Sequence, residues 1–83
     1  MNASMFVLSN KEALAKDISR GNGEALESFS KIAGCKDKNL LGSELQKNYD
    51  GIFSKPVQAP EDITNAIFNV IENDKQLNKS CKV

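Results

Sequence analysis

Apolar residues recur every three or four positions along most of the 83-residue chain. That spacing lines one face of an α-helix. The first stripe covers about Ser4 to Arg20, with Leu14 and Ile18 four apart and Met5, Phe6, Val7 and Leu8 ahead of them. The second covers about Gly23 to Ala33 through Leu26, Phe29 and Ile32, with Gly34 as a C-terminal stop. The third covers about Lys38 to Ser54 through Leu41, Leu45, Tyr49, Ile52 and Phe53, with Asp37 as its N-cap. The fourth begins at Pro60, which suits a first helical turn. Glu61 and Asp62 favour its positive end. Ile63, Ile67, Val70, Ile71 and Leu77 then share a face, and Lys75, Lys79 and Lys82 sit near the negative end. The segment Ser54 to Pro60 carries two prolines and no helical period, so it reads as a loop. No strand-like alternation occurs. The expected fold is all-α: one domain over residues 1–83, a compact bundle of about four helices. Residues 1–4 are expected to be a flexible start or a remnant.

The phase of the first two stripes is continuous across Arg20-Gly21-Asn22-Gly23-Glu24: Leu14, Ile18, Gly21, Ala25, Phe29 and Ile32 follow at spacings of three or four. Two readings follow. One helix of about 29 residues would be roughly 43 Å long, whereas a compact chain of this length is roughly 30 Å across. Two interior glycines would also cost roughly 1 kcal/mol each. The favoured reading is a tight break at Gly21-Asn22-Gly23. Gly21 ends the first helix, Asn22 caps the second, and Glu24 sits in its first turn. Arg20 is spaced to pair with Glu24 or with Asp17. Asp17, Arg20, Gly21, Gly23 and Glu24 are therefore a structural turn first and a recognition patch second.

Composition narrows the chemistry. Eleven basic and eleven acidic residues leave a formal net charge of zero, and the signs alternate without a block. That pattern argues against nucleic-acid binding and against electrostatic docking on an anionic membrane. No apolar run is long enough to span a membrane. The sequence has no histidine, so the commonest acid–base group near neutral pH and the commonest metal ligand are both missing. No catalytic, cofactor or metal site is expected. A phosphate loop would need a preceding strand and a following Gly-Lys-Ser/Thr, and neither is present. An enzyme could be built only from carboxylates such as Asp17 with Glu24 or Glu27. A lipid or small apolar ligand could sit among Phe6, Phe29, Tyr49, Phe53 and Phe68, although aromatics at helical spacing are ordinarily core.

Two cysteines occur, Cys35 after the second helix and Cys81 four residues after Leu77. An even count in a chain this short favours a disulfide between them. The alternative is two separate buried thiols. A disulfide would place the chain in an oxidising compartment.

The run Leu-Ala-Lys-Asp-Ile-Ser-Arg-Gly-Asn-Gly-Glu at Leu14 to Glu24, with Tyr-Asp-Gly-Ile-Phe at Tyr49 to Phe53, resembles the domain of unknown function 3015 family of small secreted bacterial proteins. The resemblance runs from about Phe6 to Lys82. Family members carry a signal peptide and a glycine-rich segment upstream, so the chain is expected to be the helical C-terminal part of a longer precursor. The resemblance implies export to the periplasm or cell surface and strengthens the Cys35–Cys81 pairing. It carries no established activity. The functional expectation is a non-enzymatic module, monomer or weak dimer, that binds an unknown protein or envelope component.

Overall fold

The computed structural model describes residues 2–81. Met1 of the expected loose start and Lys82 of the expected basic helix end lie outside the described residues. Six helices occur among those described: α1 (Ala3–Arg20), α2 (Glu24–Ile32), α3 (Lys38–Lys47), α4 (Tyr49–Ile52), α5 (Pro60–Asn73) and α6 (Lys75–Ser80). The fold is all-α, but the third and fourth expected helices are each divided.

The divisions have local causes. Asn48 closes α3 at φ −103°, ψ 15°, and its side-chain amide donates to the Glu44 carbonyl at 2.8 Å. An asparagine that bonds the carbonyl four residues back offers the backbone an alternative to the helical ladder. Asn10 does the same inside α1: its Nδ2 donates to the Phe6 carbonyl at 3.0 Å, and its own φ −127° and ψ 22° kink the helix there. The fourth stripe breaks at Asp74, which is extended. Its Oδ1 accepts from the Leu77 amide at 3.0 Å and so caps α6. The residues expected as a loose start also differ. Asn2 caps α1 by accepting from the Met5 amide at 2.8 Å, and Ala3 and Ser4 are helical.

Helix α1 packs against α2, α3 and α5, and α6 folds back onto α5. Their inward faces supply one buried cluster, in which Leu14, Ile18, Phe29, Leu41, Ile67 and Leu77 are fully enclosed. The extents are 31 × 25 × 20 Å. Helix α1 alone, at 18 residues, fills most of the longest one, since 1.5 Å per residue gives about 27 Å.

The chain end is tied to the α2–α3 connection. Cys35 and Cys81 form a disulfide across 46 positions of sequence. Beside it the Lys36 amide donates to the Ser80 carbonyl and the Asp37 amide to Ser80 Oγ, both at 2.9 Å. These bonds hold α6 against the body, where Leu77 is fully buried.

Candidate functional site

Arg20-Gly21-Asn22-Gly23-Glu24 joins α1 to α2, and its geometry depends on a side chain one turn earlier. Gly21 follows the last residue of α1 at φ 81°. Its amide and that of Asn22 donate to the Ile18 and Asp17 carbonyls at 3.1 Å each, which satisfies two of the end carbonyls a helix leaves open. The Gln46 side chain of α3 donates to the Ser19 carbonyl at 3.1 Å. Gly23, and not Asn22, stands at the N-cap position of α2. It has no side chain to offer there.

Asp17 supplies the missing cap from α1. Its Oδ2 accepts from the Ala25 and Leu26 amides at 2.9 and 3.2 Å. Those are the second and third residues of α2, the amides an N-cap side chain ordinarily satisfies. Its Oδ1 accepts from Arg20 Nη2 at 2.6 Å. The carboxylate also lies at the positive end of the α2 dipole. Asp17 is only 5% exposed; burying its charge is tolerable because three donors surround it.

Two glycines make this arrangement possible. A Cβ on Gly23, at φ 142°, would fall on the Asp17 carboxylate. A Cβ on Gly42 of α3 would fall on the Gly21 carbonyl oxygen. The turn is therefore pressed against α1 on one side and α3 on the other.

The brace is Arg20 with Asp17, not Arg20 with Glu24. Among the described residues Glu24 joins no ion pair and stands exposed. Glu27 faces α3, where its Oε1 meets Lys38 Nζ at 2.7 Å. The hydrogen bond and charge of Lys38 hold the Glu27 carboxyl below its ordinary value. The carboxylates raised as an acid–base pair thus diverge: Asp17 caps α2 with one oxygen and holds Arg20 with the other, Glu24 faces solvent, and Glu27 pairs with Lys38 on another face.

An open groove of about 540 Å³ runs between α1 and α2 beside this junction. Phe6, Ala13 and Ala25 give it apolar surface, and Lys16, Arg20 and Glu24 give it charge. The aromatics considered for an apolar ligand fill space against one another. Phe29 is fully buried between Phe6 and Phe68, with ring centroids 6.3 and 6.0 Å away. Tyr49 and Phe53 stack separately at 4.9 Å. Among the described residues no group of three or more cysteine, aspartate or glutamate residues converges to hold a metal, and no helix is long and apolar enough to cross a membrane.

Neither the curated proteins nor the solved structures contain a match to the chain. One family model matches residues 1–81, and it is described as a protein of unknown function, DUF3015. The match spans the capped junction, the disulfide and every helix, and the chain belongs to that family.

Proposed function

We propose that the chain is an exported, non-enzymatic helical module that binds a protein or another envelope component through the groove between α1 and α2. The observation that carries the reading is the groove itself. It is open to solvent, has apolar surface at Phe6, Ala13 and Ala25, and has both charge signs at Lys16, Arg20 and Glu24. Mixed surfaces of that kind suit protein partners better than nucleic acid. Export is supported by the Cys35–Cys81 disulfide, because such bonds persist in oxidising compartments. A binding role is favoured over catalysis by the lack of histidine and by the divergence of Asp17, Glu24 and Glu27.

The test is photocrosslinking in living cells from a reactive group placed at Ala13, with the protein expressed from its own gene and the cells fractionated. The reading expects the chain outside the cytoplasm and one discrete crosslinked species. It also expects that species to disappear when Lys16→Glu, on the same groove wall, is added to the chain carrying the reactive group at Ala13, provided that this variant melts like its parent. Retention in the cytoplasm would defeat the export part. Absence of any crosslink across several growth conditions would defeat the binding part.

A further inference from the structure

We propose that the Asn22–Gly23 bond is a self-modification site, at which Asn22 loses its side-chain nitrogen as ammonia through a succinimide and becomes isoaspartate or aspartate. The Gly23 nitrogen attacks the Asn22 side-chain carbonyl carbon. A carbon–nitrogen bond forms, and the bond to the amide nitrogen breaks. That nitrogen leaves as ammonia, carrying the Gly23 proton. Water then opens the ring. Opening at the Asn22 main-chain carbonyl leaves the chain running through the side-chain carbon, which is isoaspartate. Opening at the side-chain carbonyl gives aspartate. Nothing is oxidised or reduced, and water is the only co-reactant.

Four observations place the reaction here. Of the nine asparagines, Asn22 is the one followed by glycine, and the missing Cβ leaves the attacking nitrogen uncrowded. The Asn22 side chain is exposed. Among the described residues neither it nor the Gly23 amide makes a hydrogen bond that the reaction would have to break. An indentation of about 100 Å³ beside the bond, lined also by Glu27 and Lys38, is roomy enough to admit water. The comparable Asp50–Gly51 step lies inside α4, and its Gly51 amide is held by the Asn48 carbonyl at 3.1 Å.

The product alters the junction. Isoaspartate inserts a methylene into the main chain next to Gly23, where even a Cβ collides with the Asp17 carboxylate. Asp17 then loses its register with the Ala25 and Leu26 amides. The modification therefore loosens the start of α2. This inference is independent of the binding role.

The folded, disulfide-bonded full chain is incubated at mildly alkaline pH and followed by peptide mapping that separates aspartate from isoaspartate. Trypsin releases Gly21 to Lys31, in which Asn22 is the sole asparagine. The expected result is a gain of one mass unit in that peptide before any other, with isoaspartate exceeding aspartate and the isoaspartyl fraction melting below the unmodified chain. An Asn22→Gln variant, folded by circular dichroism, loses the shift. The proposal is overturned if the folded chain keeps its amide while the urea-unfolded chain converts. It is also overturned if another asparagine reacts first, if aspartate forms without isoaspartate, or if Asn22→Gln retains the shift. An isoaspartyl fraction that melts with the parent would overturn the claimed effect on the junction.

Discussion

Replacing Asp17 by alanine removes three interactions at once. Two are bonds from the Ala25 and Leu26 amides, and the third comes from Arg20. Loss of an N-cap costs about 0.5–2 kcal/mol. Leu26 is 2% exposed, so its amide is left without ready access to water, and an unsatisfied buried donor costs about 1–3 kcal/mol. The two figures overlap, because both count the same amides, and about 2–3 kcal/mol is a fair total. The Arg20 pair adds little, since its side chain is 53% exposed and exposed pairs are worth about 0–1 kcal/mol. A chain of this length holds roughly 4–12 kcal/mol in all. The loss therefore lowers the melting temperature by about 10–20 °C. Thermal and urea unfolding of Asp17→Ala, Asp17→Asn and Arg20→Ala measure it. The expected order of damage is Asp17→Ala first, Asp17→Asn between, and Arg20→Ala least. An Asp17→Ala protein that melts with the parent, or an Arg20→Ala protein that falls as far, would refute the argument.

Further outcomes follow from the same geometry. Gly42→Ala forces a Cβ onto the Gly21 carbonyl oxygen and should cost about 1–3 kcal/mol as overpacking. Gly51→Ala meets nothing within 4 Å and should stabilise by about 0.5–1 kcal/mol; urea titrations of the pair check both signs. The Cys35→Ser, Cys81→Ser double variant opens a loop closed across 46 positions and should lose about 4 kcal/mol on the chain-entropy account, measured by urea unfolding against the oxidised parent. Glu27 is lowered first by its hydrogen bond from Lys38 and then by that residue's charge, from an ordinary value of 4.5. Its contribution to stability is therefore present above 4.5 and is lost as pH falls through the lower folded value. Carboxyl titration by NMR should find Glu27 below 4.5, and Lys38→Ala should move it back up.

The parts of this fold that were legible from sequence are those written in neighbouring residues. The stripes through Leu14 and Ile18, Leu26 and Phe29, and Ile63 and Ile67 are local signals, and so is the Asp37 cap, which accepts from the Leu40 amide at 3.0 Å. The two cysteines were few enough for a pairing to be named. What escaped depends on geometry that a linear pattern does not carry. Asp17 bonds amides eight and nine residues away, and only the lack of a Cβ on Gly23 lets it arrive. Gly42 carries no local signal: its need for a bare Cα comes only from the Gly21 carbonyl oxygen of the facing turn. The breaks at Asn48 and Asp74 were missed because apolar period continues through them, while the side chains that interrupt the backbone are polar.

The central claim is that Arg20-Gly21-Asn22-Gly23-Glu24 is an architectural junction whose cap comes from Asp17 of the preceding helix. Hydrogen exchange of individual amides tests it most directly. The account predicts that Ala25 and Leu26 are protected in the parent while Gly23 and Glu24 exchange freely, and that Asp17→Ala abolishes the protection of Ala25 and Leu26. Ala25 and Leu26 amides that exchange as fast as those of Gly23 and Glu24 in the parent would contradict it.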